Sequence, residues 1–178
     1  YMGLRPEVIR ESFNLLKPYA DEFISNFYEN LFKSYPDAKK LFEDVNMDLQ
    51  KKQLVGSLAY IVNHLEDSER LVGYLKAMGE KHVDYGVQEE HYSWVGASLL
   101  KTFSDAFGDK WADPYKEQWE TAIGFIAETM IEGSKNWTPT QHGQVEEKGG
   151  SMNSNEETTK TVNVKDEVEN HDTIIAFR

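Results

Sequence analysis

The sequence predicts an all-α fold, and two observations support this prediction. Apolar residues between positions 4 and 136 recur at spacings of three and four, which places them on one face of successive helices. No stretch in this region alternates polar and apolar residues as a half-buried strand would. We expect about seven to eight helices, several of them interrupted by proline, rather than a simple up-and-down bundle.

Prolines delimit the first three predicted helices. Pro6 suits the first turn of a helix, Pro18 breaks or bends the chain, and Pro36 begins a short helix that ends at Phe42. The apolar stripe of the first helix comprises Val8, Ile9, Ser12, Leu15, Leu16 and Tyr19. The second helix has the stripe Phe23, Ile24, Phe27, Tyr28, Leu31 and Phe32.

Four further helices are predicted, separated by polar corners. The corner EDVNMD precedes the first of them, and EDSER together with Gly73 interrupts the pattern after it. The corner YGVQEEHY leads into two long adjacent helices, and Asp113 before a proline predicts the start of the second. The predicted apolar faces are Leu54, Leu58, Ile61 and Leu65; Leu71, Leu75, Met78, His82 and Tyr85; Val95, Leu99, Thr102, Phe103, Ala106 and Phe107; and Trp119, Ile123, Ile126, Met130 and Ile131.

The composition changes near Trp137, so we expect a folded domain at 1–137 and a disordered acidic tail at 138–178. The tail is rich in Gly, Ser, Thr, Asn and Glu and has few large apolar residues. Such a segment cannot bury enough surface to offset the ordering of its backbone. Three apolar residues near its end could form a docking motif, although a frayed terminus is the favoured interpretation: Ile174, Ile175 and Phe177.

Composition and charge exclude several classes of function. The chain has no cysteine, which excludes disulfides, thiolate metal ligands and cysteine nucleophiles. The net charge of −12 disfavours nucleic acid and anionic lipid as partners, because both require clustered Lys and Arg. No run of about 18 apolar residues predicts a membrane span, and no signal peptide is visible at the start. We therefore expect a cytoplasmic protein.

Three polar residues lie on predicted apolar faces: His82, Gln50 and Tyr28. Each could be an ordinary core residue with a local partner, since an unpartnered buried polar group costs about 1–3 kcal/mol. Together they predict a shared site in which an imidazole binds a transition metal and a phenol and a carboxamide contact a small ligand. Because the faces offer only one metal ligand, a cofactor must supply the others, as a haem does.

The chain resembles the bacterial single-domain globins, which are related to the haem domain of flavohaemoglobins. The resemblance covers about residues 4 to 136, and residues 138–178 have no counterpart in the pattern. The matching blocks, in family order, are NFYENLF, YPDAKKLF, LQKKQLVGSLAYIV, KHVDYGVQEEHYSWVG and DPYKEQWETAIGFIAETMIEG. The resemblance implies a globin fold around haem b (iron protoporphyrin IX).

The resemblance also implies a role for each matching residue. His82 corresponds to the iron ligand, and Phe42 to the phenylalanine that packs on the haem. Tyr28 and Gln50 correspond to the residues that hydrogen-bond oxygen on the opposite side. Leu54 corresponds to an apolar residue on the ligand side. Further haem contacts are expected at Leu54, Met78, Tyr85 and Val95.

One part of the family pattern differs in this chain. In flavohaemoglobins a glutamate of the last helix joins the iron-ligating histidine and a tyrosine that corresponds here to Tyr92. Alignment through Trp119 puts Ser134 at the position of the glutamate, and Glu132 is expected to face elsewhere. The departure argues against a strongly electron-donating network around His82.

The resemblance implies reversible binding of O₂, NO and CO, with O₂ held tightly by Tyr28 and Gln50. Nitric oxide dioxygenase activity would need an external electron donor or reductase, since the flavin and nicotinamide domains do not occur in these residues. The alternatives are a haem-based gas sensor or interaction module tethered by 138–178, and a haem-free helical domain. We expect a monomer or homodimer and assign no catalytic side chain.

Overall fold

A computed structural model describes residues 3–136. In this part of the chain the regular structure is entirely helical, which confirms the all-α prediction. Its α-helices are α1 (Pro6–Leu16), α2 (Ala20–Ser34), α3 (Met47–Asn63), α4 (Ser68–Asp84), α5 (Glu89–Phe107) and α6 (Tyr115–Lys135). Short 3₁₀ segments occur at Lys17–Tyr19, Pro36–Phe42 and Gly108–Lys110.

The number of α-helices within 3–136 is therefore six, where about seven to eight were expected. The difference arises because the pieces around Pro18 and Pro36 are tight 3₁₀ segments, whose poorer hydrogen-bond geometry keeps them short. The predicted tail at 138–178 and its apolar motif lie outside the described residues, so its predicted disorder stays a prediction.

Some predicted helix boundaries differ from the structure. Gly73 lies inside α4 and does not interrupt it, since a single glycine costs only about 1 kcal/mol in a helix and the apolar face on either side is buried. The helix start predicted at Asp113 and the following proline agrees with the structure to within a residue or two, since α6 begins at Tyr115 and its N-cap is Pro114. The corner EDVNMD is also shorter than expected, since its last two residues, Met47 and Asp48, belong to α3.

Side chains cap three of the helices. Asn46 accepts a hydrogen bond from a backbone N–H in the first turn of α3, and Asp67 does the same for α4. At α5 the Gln88 backbone N–H donates to His91 Nδ1 over 2.9 Å, within a reciprocal capping box. These contacts satisfy N–H groups that lack partners inside the helix, and they fix where each helix begins.

The core is formed by packing between pairs of helices. α4 packs along α6, α2 packs on α5, and α1 contacts both α3 and α6. The apolar stripe of α1 is shorter than predicted, because Leu15 is 50% exposed and Tyr19 is 63% exposed. The largest fully buried side chains are Trp119, Phe27, Phe103, Ile9, Ile24, Leu31, Leu71, Leu75, Met78 and His82.

Two glycines allow α4 and α6 to cross at backbone contact. A Cβ atom on Gly79 would overlap the backbone oxygen of Met130, and a Cβ on Gly133 would overlap that of Lys76. The contact is reciprocal, so each helix presents its glycine to the other helix's backbone. Gly79 lies about one turn before His82, so this crossing lies close to the histidine along α4.

No helix within residues 3–136 has both the length and the apolar character that crossing a lipid bilayer requires.

Candidate haem and ligand site

His82 is fully buried on α4, and its ring orientation is set by its own helix. Its Nδ1 atom lies 2.6 Å from the backbone oxygen of Met78. A carbonyl can only accept, so Nδ1 carries the hydrogen and Nε2 carries the lone pair. Burial lowers the pKa of His82 to about 4, although the Met78 carbonyl raises it. The imidazole is therefore neutral at pH 7, the form that binds a metal.

His82 lines an apolar cavity of about 70 Å³ between α3, α4, α5 and α6. Three other residues predicted to contact the cofactor line the same cavity: Leu54, Met78 and Val95. Much of the remaining wall comes from α5 and α6 residues that the sequence did not single out as site residues: Leu99, Phe103, Trp119, Ile126 and Met130. Their helical spacing indicated burial, but spacing within one helix does not show which cavity a residue faces.

Tyr28, Gln50 and Phe42 form a second group, outside the lining of that cavity. Gln50 Nε2 donates a hydrogen bond to Tyr28 Oη over 3.1 Å, and both side chains are buried. The Tyr28 ring stands edge-on to Phe42, with ring centroids 5.5 Å apart. The structure thus brings together two of the three residues predicted for the ligand side, Tyr28 and Gln50, while the third, Leu54, lines the cavity beside His82.

The Tyr28 hydroxyl is protonated at neutral pH. Burial raises the pKa of Tyr28, and this effect outweighs the opposite effect of the hydrogen bond from Gln50. Since Tyr28 accepts in that bond, its own hydroxyl hydrogen can be donated to a third group. The pair can therefore act as a directed donor inside a dry pocket.

Two further tyrosines lie near His82. The ring centroid of half-buried Tyr85 is 6.0 Å from that of His82, and the corresponding distance for Tyr92 is 6.2 Å. The Tyr92 hydroxyl is buried and has no hydrogen-bond partner among residues 3–136, and burial raises its pKa. The two residues near the position of the family's glutamate have partners other than Tyr92. Glu132 pairs with Lys76 over 3.4 Å, and Ser134 Oγ donates to the backbone oxygen of Ile131 over 2.6 Å.

These residues fit a haem. One neutral imidazole is held by a backbone carbonyl, the cavity walls beside it are apolar, and a phenol–carboxamide pair lies on neighbouring helices. Within residues 3–136, no three His, Asp or Glu side chains gather in a way that would hold a bare metal ion. The donor set therefore requires a cofactor to complete the coordination of a metal.

The fold and the site together define an all-α domain with a buried imidazole beside an apolar cavity. The chain belongs to the globin family, whose family model, described as Globin, matches residues 25–130. The family is one of haem-based gas binding. The matched region contains Tyr28, Phe42, Gln50 and His82.

Relatives named flavohemoprotein share about a quarter of their aligned residues with this chain. The one from Rhodopirellula baltica is 26% identical over 96% of this chain and 40% of its own length. The one from Bacillus subtilis is 26% identical over 81% of this chain and 36% of its own length. The chain thus spans less than half the length of these relatives. The first alignment extends into 138–178, whereas the family model ends at residue 130.

Among solved structures, a bacterial globin from Campylobacter jejuni is similar to this chain, with a TM-score of 0.61 and 29% sequence identity. The superposition covers 73% of this chain and 94% of the C. jejuni chain. A match over nearly the whole of that chain confirms the predicted globin fold.

Proposed function

We propose that this chain binds haem b through His82 and binds O₂, NO and CO reversibly, holding O₂ tightly. When bound, haem supplies a ferrous iron with one coordination position for a diatomic gas. The observation that carries the proposal of tight O₂ binding is the buried hydrogen bond from Gln50 to Tyr28, which leaves the Tyr28 hydroxyl hydrogen to be donated.

On the His82 side, the chain controls the imidazole. The Met78 carbonyl accepts the Nδ1 hydrogen, which fixes the tautomer and makes Nε2 a stronger base. Leu54, Val95 and the other apolar wall residues exclude water from the cavity. A dry site strengthens the electrostatic interactions made inside it.

On the ligand side, Tyr28 supplies a donor, and Gln50 orients it. A hydrogen bond to a partly charged group contributes about 1.5–3 kcal/mol. That free energy corresponds to O₂ release slower by roughly 10- to 100-fold. CO acquires less negative charge than O₂, so the same donor discriminates between the two gases.

Slow O₂ release suits reaction with NO better than bulk O₂ delivery. Conversion of one NO and one O₂ to nitrate consumes one electron, which has to be returned before the next turnover. The proposal therefore includes an external reductase as electron donor, and the name of the relatives, flavohemoprotein, supports a flavin-linked one.

Absorption spectra of the purified protein, oxidised, reduced and under CO, test the haem directly. Nitrate formation from NO and O₂, measured with and without an added reductase, then tests the reaction. We expect a Soret band that shifts under CO, one nitrate per haem without reductase and multiple turnovers with it. Absence of a Soret band contradicts the proposal. A series of truncations within 138–178 that changed O₂ affinity would favour the gas-sensor alternative instead.

A further inference from the structure

A groove on the outer surface between α5 and α6 shares part of its wall with the cavity beside His82. Four residues line both the groove and the cavity: Tyr92 and Gly96 on α5, and Ile123 and Ala127 on α6. These four residues therefore border the groove on one side and the cavity on the other.

Small residues keep the shared wall thin. Gly96 has no side chain, and a Cβ atom built on it would lie 3.2 Å from Ile123 Cγ2. That distance is shorter than an ordinary contact between carbon atoms, so a single added methyl group would narrow the gap. Gly124, which lines only the groove, faces open space, so the outer side of the wall is not crowded.

The hydroxyl of Tyr92, one of the residues that line both spaces, has no hydrogen-bond partner among residues 3–136. Tyr92 is 8% exposed. Leaving a buried hydroxyl without a partner costs about 1–3 kcal/mol. The Tyr92 side chain thus lies at the shared wall without a hydroxyl hydrogen bond to hold it in one orientation.

The dimensions and chemistry of the two spaces favour a diatomic gas. The inner cavity of about 70 Å³ exceeds the roughly 10–15 Å³ that one water molecule needs, so it has room for a diatomic gas of comparable size, and its apolar walls disfavour ions. Glu89, Glu90 and Glu120 line the groove, so the mouth repels anions such as nitrite while leaving neutral gases unaffected.

We propose that O₂, NO and CO reach the pocket through the gap between α5 and α6, and that Tyr92, Gly96, Ile123 and Ala127 form its narrowest part. This inference rests on the proposed function, since a haem at His82 is what the gas would reach. In this proposal the groove between α5 and α6 admits the gas, whereas the donors on α2 and α3 hold it once it is bound.

Recombination after flash photolysis of the CO complex tests the passage. We expect Gly96→Ala to slow bimolecular CO association by about fivefold, the kinetic equivalent of about 1 kcal/mol. The matched control is Gly56→Ala, which makes the same change in a helix where the new methyl meets open space and lines neither the groove nor the cavity. Ile123→Ala should restore the rate in the Gly96→Ala background, because it removes the atom that the methyl meets.

A Gly96→Ala rate equal to that of the parent overturns the proposal, and so does a double variant that remains as slow as the single one.

A second measurement needs no variant: methyl NMR of the purified chain under xenon pressure should show shifts at Ile123 and Ala127 but not at Ala112, which lines neither space. Unshifted Ile123 and Ala127 methyls also overturn it. The xenon measurement does not require bound haem. A missing Soret band would therefore refute the proposed function, while the xenon shifts would still decide whether the passage exists.

Discussion

Gln50 Nε2 and Tyr28 Oη lie 3.1 Å apart and join α3 to α2 through a hydrogen bond in the core. The two side chains are 1% and 2% exposed, so water does not compete for this bond. Gln50 is the donor, which determines the direction of the network: Tyr28 accepts from the amide and can donate onward. The amide thus holds the phenol in one orientation, which is the preorganisation that the proposed ligand-binding role requires.

Tyr28→Phe should raise the O₂ dissociation rate by at least about tenfold, because it removes a donor that contributes about 1.5–3 kcal/mol. The ring and its edge-on contact with Phe42 are kept, so the effect isolates the hydroxyl. Stopped-flow displacement of O₂ by CO measures the rate. Tyr35→Phe is the control, since Tyr35 stacks on Trp94 elsewhere in the fold. An unchanged off-rate in Tyr28→Phe would refute the donor role.

Gln50→Leu should also speed O₂ release, because the Tyr28 hydroxyl loses the amide that orients it. Combined with Tyr28→Phe, the two substitutions should be clearly non-additive in the free energy of O₂ release, since they remove parts of one hydrogen-bonded unit. A double-mutant cycle on the dissociation rates measures this coupling. Additive effects would mean that the two side chains act on the ligand independently.

The burial of the site residues could be predicted from helical spacing alone. His82, Tyr28 and Gln50 were each expected on an apolar face, and all three are buried. Spacing succeeds here because it reports which side of one helix faces inward. It failed at Gly73, where local propensity predicted an interruption and burial of the flanking apolar face outweighed it.

Contacts between distant segments could not be predicted in the same way. The crossing of α4 and α6 at Gly79 and Gly133 depends on the relative placement of two helices, about which periodicity within either helix says nothing. Similarly, Ser12 was expected only as a member of an apolar stripe. Its hydroxyl in fact accepts from Trp119 Nε1 over 2.8 Å and joins α1 to α6.

Gly79→Ala should destabilise the domain by about 2–3 kcal/mol, because the new methyl would overlap the Met130 backbone, which cannot move without shifting α6. Urea denaturation monitored by circular dichroism measures the change. The control Gly56→Ala should be neutral or stabilising by up to about 1 kcal/mol, since alanine favours the helix and its methyl meets open space. Equal stabilities for the two variants would contradict the close crossing.

Ser12→Ala should cost about 1–3 kcal/mol of unfolding free energy, because it leaves the buried Trp119 indole N–H without its acceptor. Ser93→Ala is the matched control, since the Ser93 hydroxyl donates only to the Glu90 backbone oxygen on an exposed face. That change should stay within about 0.5 kcal/mol. The same denaturation measurement applies, and a Ser12→Ala variant as stable as Ser93→Ala would show that the indole bond contributes little.

The central claim is that His82 holds a haem through Nε2, and the most direct measurement is the absorption spectrum of His82→Gly with and without added imidazole. We expect the variant to lose the Soret band of the parent or to bind haem weakly, and free imidazole to restore a spectrum close to that of the parent. A His82→Gly variant that kept a full complement of haem with an unaltered Soret peak, and did not respond to imidazole, would contradict the account.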